Sequence, residues 1–234
     1  MNLLQKAFGI YQTNCYILQT NIGDFIIDPG MDSTGWVVES TKHPIAILNT
    51  HGHFDHIWCN YELKAKFDIP LLCPKEDCFM LESDCFNLNL NPYPADIKVE
   101  NNQIFYFNKN GLIKDGEKDL ESKSKVESNS KTASTKSNMI ESSEIIEVEF
   151  MFFPGHTPGC SMIKIGDFIF SGDFIFKRSI GRSDFPYSNK EDMIASLKKF
   201  KNIPYNMALY PGHGESTTIK EEQKIIDTWI KTIC

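Results

Sequence analysis

The sequence predicts an α/β (α+β) protein in which two β-sheets pack face to face with helices on the outside. Three observations carry this. Short apolar, often β-branched runs bounded by Gly or Pro dominate the first part of the 234-residue chain and resume in its second half. One phrase, "IGDFIIDPG" at Ile22–Gly30, returns as "IGDFIFSGD" at Ile165–Asp173, each time with Gly-Asp between two apolar strands, which is a hairpin signal. Apolar residues at helical spacing follow the strands in each half, and helices outside two facing sheets would cover every apolar face. The echo admits two readings, reuse of a common turn or a fold of two similar β-rich halves.

Taken in order, "NCYILQT", "DFIIDPG" and "PIAILNT" read as strands of a buried sheet. From His56 to Phe67 the pattern turns helical, with Ile57 and Tyr61, then Leu63 and Phe67, each four apart, before Pro70 opens another strand, "IPLLCP". "PKEDCFMLES" predicts a short helix with Pro74 at its start and acidic residues in its first turn, where the macrodipole favours them. The stretch at about 114–144, "KDGEKDLESKSKVESNSKTASTKSNMIESSE", is almost wholly Lys, Glu, Asp, Ser, Thr and Asn. It buries too little apolar surface to offset chain entropy, so it reads as a disordered or weakly ordered surface insertion in a single domain spanning 1–234. A regulatory or partner-binding loop is its functional alternative. "NKEDMIASLKKF" and "TIKEEQKIIDTWIKTI" supply the last helices, with Asn189 and Thr218 as N-caps.

Composition bounds the function. With 41% hydrophobic residues, a chain of this length buries roughly 70–75% of its unfolded surface. A net charge of −7 supplies no basic field for phosphate backbones, which argues against nucleic acid as a partner. The start, "MNLLQKAFGIYQTNCYIL", lacks the apolar core and cleavage site of a signal peptide, and no later run is long enough to span a bilayer. A cytoplasmic protein with no membrane partner is expected. Seven cysteines, with no Cys-x-x-Cys pair, predict mostly reduced, buried thiols rather than a disulfide framework or zinc ribbon.

The chemistry concentrates in "NTHGHFDHIWCN", where three of six histidines and an aspartate fall within His51–His56, on a strand-to-helix loop. Imidazole and carboxylate are standard ligands of borderline divalent metals, and two His one residue apart can turn toward one ion. Asp55 and His56 follow too closely to join His51 and His53 on a single tetrahedral ion, so two metals are the economical answer. His156 in "PGHTPG" and His213 in "PGHGES" sit in glycine-rich loops that leave a side chain free to be aimed. Asp173 in "FSGDF" offers a carboxylate at a strand end. Only His43, in "TKHPIA", reads as an ordinary exposed or packing histidine.

Four blocks in this order, "THGHFDH", "GHTPG", "SGD" and "PGHG", resemble the metallo-β-lactamase superfamily and, within it, the short glyoxalase II-like (hydroxyacylglutathione hydrolase-like) enzymes. The resemblance spans nearly the whole chain outside the insertion. It implies an αβ/βα four-layer sandwich in which His51, His53 and His156 hold one metal, Asp55, His56 and His213 hold a second, and Asp173 bridges them. The ions would be two divalent cations, zinc by expectation, with iron or manganese as alternatives. Asp28 in "IIDPG" matches an acidic position that supports the metal loop from behind the ligands, and by itself reads equally as a turn former. The implied reaction is hydrolysis of an acyl thioester such as S-lactoylglutathione, with a metal-bridging hydroxide as nucleophile. A thiolate leaving group departs without a dedicated acid, its parent pKa being about 8.5.

"SIGRSDFP", Ser179 to Pro186, resembles a block shared by these hydrolases and by persulfide dioxygenases, and "HTPGC" with Cys160 also occurs in the latter. A mononuclear iron oxygenase is therefore the alternative, and a non-catalytic, metal-binding regulatory protein is the alternative of another class. Lys177, Arg178 and Arg182 are the candidate substrate-binding cations, able to meet the carboxylates of a glutathione-like thiol or to remain solvated. About twenty residues follow His213, fewer than the helical domain that grips glutathione in full-length glyoxalase II, so the resemblance leaves the thiol open. Oligomeric state is left open as well.

Overall fold

A computed structural model describes residues 1–113 and 144–233. The expected insertion at about 114–144 lies outside the described residues apart from Glu144. Strands β1 (Asn2–Phe8), β2 (Thr13–Gln19), β3 (Asp24–Ile27), β4 (Pro44–Leu48), β5 (Leu71–Pro74) and β6 (Ile97–Val99) form one sheet in that order. Its first three strands are antiparallel, and β3 to β6 are parallel. The second sheet contains β7 (Ile104–Asn108), β8 (Gly111–Leu112), β9 (Ile146–Phe152), β10 (Ser161–Ile165) and β11 (Phe168–Gly172). A short ribbon, β12 (Ile175–Phe176) and β13 (Ser179–Ile180), precedes its last two strands, β14 (Ala208–Pro211) and β15 (Thr217–Thr218). The spatial order is β15-β14-β11-β10-β9-β7-β8.

Two-residue alternation decides which side chains meet. Phe25 and Ile27 of β3, with Ala46 and Leu48 of β4, face inward against Phe107, Val148, Phe150, Ile163 and Phe170 of the second sheet. Ile26 and Ile47 face outward and are covered by Val37 of α1 (Thr34–Ser40), Ile57 of α2 (Phe54–Ile57), Leu63 of α3 (Asn60–Phe67) and Leu81 of α4 (Cys78–Glu82). On the other outer face, Met162, Ile169 and Leu209 are covered by α5 (Lys190–Lys201), α6 (Ile219–Gln223) and α7 (Ile226–Ile233). The result is the expected αβ/βα four-layer sandwich. No helix among the described residues is long and apolar enough to cross a membrane. All six described cysteines are free, five of them buried.

The echoed phrase marks two equivalent corners. Both copies form hairpins, β2–β3 and β10–β11, and in each the second strand then pairs parallel with a later one, β4 or β14. Each second strand runs directly into a carboxylate, Asp28 or Asp173. The predicted caps also form: the Asn189 side chain accepts from the Asp192 N–H at 2.9 Å and Thr218 from the Glu221 N–H at 3.3 Å.

Two predicted helices are interrupted. The one expected over His56–Phe67 is split into α2 and α3, because the Cys59 N–H donates to the Pro29 carbonyl at 3.0 Å and its thiol to the Gly30 carbonyl at 2.9 Å. Those bonds tie the chain to the loop after β3 instead of to its own preceding turn. "TIKEEQKIIDTWIKTI" likewise divides into α6 and α7.

Candidate metal centre

Every expected ligand, and the supporting Asp28 with them, follows the carboxyl end of a strand. Asp28 follows β3, His51–His56 follow β4, His156 follows β9, Asp173 follows β11 and His213 follows β14. Strands β3 and β4 are parallel, while β9, β11 and β14 share one direction across β10. The two sheets therefore present their strand ends at one edge, the place where open α/β sheets bind ligands. Nitrogens of His51, His53 and His156 lie within 4.8 Å of one another, and so do the donor atoms of Asp55, His56 and His213. Asp173 stands between the two groups, with Oδ2 3.5 Å from His156 Nε2 and 3.3 Å from His213 Nε2, and Oδ1 3.3 Å from His56 Nε2.

The imidazoles are oriented from behind. Thr50 Oγ1 donates to Asp28 Oδ2 at 2.7 Å, so its remaining capacity accepts from His51 Nδ1 at 3.0 Å. His56 Nδ1 donates to Asp28 Oδ2 at 3.0 Å, His156 Nδ1 to the Arg182 carbonyl at 2.8 Å and His213 Nδ1 to the Tyr11 carbonyl at 3.1 Å. With the proton held on Nδ1, Nε2 keeps a lone pair aimed inward. Asp28, His51 and His56 also satisfy ligand spacing. The Asp28 oxygens, however, are already engaged by the Thr50 N–H, the Thr50 hydroxyl and His56, which makes Asp28 an orienting group.

Whether this set fits a cation is tested by its orphaned atoms. Nε2 of His51, His56 and His156 and Oδ1 of Asp173 are buried and have no hydrogen-bond partner. Buried polar atoms without partners are costly and rare, and four of them on side chains of the two adjacent donor groups and the Asp173 between them fit divalent cations. Electrostatics separates the two groups. Burial drives the pKa of His51 and His156 down and that of His53 to about 3, so these rings are neutral and ready to ligate. Burial also opposes charging His56, but Asp173, Asp55 and Asp28 outweigh it and raise its pKa well above the ordinary value. His213 is likewise raised against burial, to about 9, by its hydrogen bonds to Asp173 and Asp55. Asp55 is held down to about 2, its burial overcome by His56 and His213. Without a cation, protons on His56 and His213 balance the carboxylates that a cation would otherwise neutralise.

Two features were hidden from sequence reasoning. Asp77, read there as a helix-starting acid, makes no cap and is fully buried. Its Oδ2 accepts from the Gly52 N–H at 2.9 Å and Thr157 Oγ1 at 2.6 Å, and its Oδ1 from the Gly159 N–H at 2.6 Å. One carboxylate thus clamps the His51–His53 loop to the His156 loop, and burial lifts its pKa to about 6 despite those three bonds. Asn14 and Tyr16, read only as strand residues, hold the His213 loop: Asn14 Nδ2 donates to the Pro211 and Gly214 carbonyls, both at 2.9 Å, and the Tyr16 hydroxyl to the Pro211 carbonyl at 2.7 Å. The adjacent Thr13 hydroxyl donates to Asp55 Oδ2 at 2.6 Å. No local pattern marks any of these residues, since each partner is distant in sequence.

The three expected substrate cations stand differently. Lys177 is paired with Glu215, and Arg182 is bound through two nitrogens to Asp184, both at 2.9 Å, with its guanidinium 4.0 Å from the Phe185 ring centroid. Arg178 is exposed, with φ +58°, and its backbone N–H donates to Glu222 at 2.9 Å. Arg182 meets the centre through its backbone carbonyl, on His156. Cys160 is wholly buried among Met162, Phe153 and other apolar residues of the second sheet.

Strand ends of two facing sheets that converge on a cage of imidazoles and carboxylates define a metal-binding αβ/βα protein. The chain belongs to the metallo-beta-lactamase superfamily, whose family model matches residues 8–213. It is 28% identical over 236 residues to the "Probable metallo-hydrolase YqgX" of Bacillus subtilis (strain 168), covering 95% of each chain. It is also 28% identical over 241 residues to "Hydroxyacylglutathione hydrolase GloC" of Haemophilus influenzae, covering 96% of each. Among solved structures it is similar to the BLEG-1 B3 metallo-beta-lactamase, with a TM-score of 0.68 and 26% identity over 95% of this chain and 97% of that one.

Proposed function

We propose that the chain is a two-cation hydrolase of acyl thioesters. The observation that carries this reading is the pair of adjacent donor groups, His51 with His53 and His156 and Asp55 with His56 and His213, with Asp173 oxygens 3.5 Å from His156 Nε2 and 3.3 Å from His56 Nε2 and His213 Nε2. In it, His51, His53 and His156 hold one ion, Asp55, His56 and His213 the other, and Asp173 lies between both. Bound divalent cations would supply Lewis acidity toward the thioester carbonyl and acidify a water. The protein's own part is orientation: Asp28 and Thr50 fix His51 and His56, the Arg182 carbonyl fixes His156, and the Tyr11 carbonyl fixes His213. Lys177 and Arg182 are paired with carboxylates, which suits a leaving group that needs no protein acid, as a thiolate does. Likeness to a hydroxyacylglutathione hydrolase supports the thioester class.

The test is metal analysis joined to a substrate panel. Protein reconstituted with zinc, manganese or iron should bind close to two ions per chain and cleave thioesters in preference to lactams and phosphodiesters. One iron per chain with oxygen uptake on a thiol persulfide would replace this reading, and metal binding without turnover of any substrate would leave a regulatory protein. Asp173→Ala should abolish turnover and release at least one ion; full activity in that variant would mean the ligand assignment is wrong.

A further inference from the structure

Beside the donor cage stands an arc of aromatic side chains that neither the core nor the ligand set uses. Tyr11, from the loop between β1 and β2, lies edge-on to Phe54 at 5.2 Å, Phe54 to Phe86 at 5.6 Å, and Phe86 to Tyr187 at 6.0 Å. Phe86 and Phe185 flank the His53 ring at 5.7 and 6.1 Å, and Phe185 also lies 6.1 Å from His156. Four separate segments contribute these five rings: the β1–β2 loop, the histidine loop, the stretch after α4 and the loop before α5. Tyr11 is 46% exposed, Tyr187 46% and Phe185 39%, and Ile10 beside Tyr11 is 80% exposed. Aromatic area is expensive to leave in water, and an apolar patch continuous with a polar reaction centre is the usual form of a substrate site.

Charge points the same way. Glutathione presents two carboxylates to be met by cations, but of the three candidates Lys177 is neutralised by Glu215 and Arg182 by Asp184 while it lies over Phe185, which leaves Arg178 alone exposed and unmatched to a second carboxylate. We infer that the aromatic arc is the substrate-specificity site, and that it takes an uncharged thioester bearing a ring-sized apolar group in place of a glutathione conjugate. This rests on the hydrolase reading above. The apolar group can belong to the acyl half or to the thiol half, and the experiment separates the two.

Zinc-loaded full-length protein is assayed with S-ethyl thioacetate as reference, the phenylacetyl thioester of ethanethiol as the acyl arm, the acetyl thioester of benzyl thiol as the thiol arm, and S-lactoylglutathione. One ring-bearing arm should exceed the reference in kcat/KM by about tenfold or more, the factor expected when roughly two methylene equivalents of apolar surface leave water. Phe86→Ser and Phe185→Ser should each cut that ratio by about fivefold, with metal content unchanged. A separate calorimetric titration compares phenylacetate with acetate and benzyl thiol with ethanethiol. The ring-bearing ligand of the favoured arm should bind about tenfold more tightly, and the Ser variants should lose the difference. Preference for S-lactoylglutathione over both ring-bearing esters overturns the inference, as does thioester cleavage with no ring preference, which leaves the hydrolase reading standing. Ring-selective binding that the Ser variants abolish, without turnover of any thioester, sinks the hydrolase reading and keeps the apolar site.

Discussion

At the scale of single residues, Asp77 is the side chain whose importance is least visible in the sequence. Both of its oxygens act only as acceptors, toward two backbone N–H groups and one hydroxyl. Asp77→Ala leaves those donors unpaired in a buried site, so it should destabilise the protein by about 3 kcal/mol or more. Asp77→Asn should do nearly as badly, because its amide would point N–H groups at N–H groups. Melting curves together with the affinity of the first ion check both variants, and an Asn variant with wild-type stability would refute the clamp. Gly212 is a second such position. A Cβ there would stand 2.1 Å from Asp173 Oδ1 and 2.6 Å from His56 Cε1. Gly212→Ala should therefore fold, yet bind close to one ion per chain instead of two, as counted by elemental analysis.

At the scale of elements, the strands with a two-residue apolar alternation or a continuous apolar run were legible, and so were α5 and its cap, because each reports its environment through local spacing. Asn189→Ala should lower stability by about 1 kcal/mol in chemical denaturation while leaving metal content intact, since α5 lies on the outer face of the second sheet. Edge strand β1 was not legible: most of its residues are partly or fully exposed and no apolar stripe marks it. The break between α2 and α3 was hidden for another reason. His56 to Phe67 has helical periodicity throughout, and only the bonds from Cys59 to Pro29 and Gly30 interrupt it. The rule behind both cases is that propensity speaks for a segment alone, and a tertiary hydrogen bond overrides it.

At the scale of the whole molecule, the donor cage couples folding, pH and metal. In the metal-free protein the pKa of His213 is raised to about 9 from an unfolded value of about 6.5. A raised value stabilises the fold fully below the unfolded pKa, and that contribution disappears as pH climbs through the folded one. The metal-free melting temperature should accordingly fall between about pH 6.5 and 9, while uptake of the second ion tightens over the same window because its ligands must lose protons. Melting with and without chelator across that range checks the sign; a metal-free protein that grows more stable toward pH 9 would contradict it. Residue identity and order alone determined the donor inventory, the sandwich class and the family, because a metal site needs a particular set of imidazoles and carboxylates placed at strand ends, and local spacing records strand ends. Only the tertiary structure decided how the donors are aimed and what surrounds them. The Asp77 clamp, the paired state of Lys177 and Arg182, and the aromatic arc beside His53 are made by segments far apart in the chain, and contact between distant segments leaves no period in a sequence.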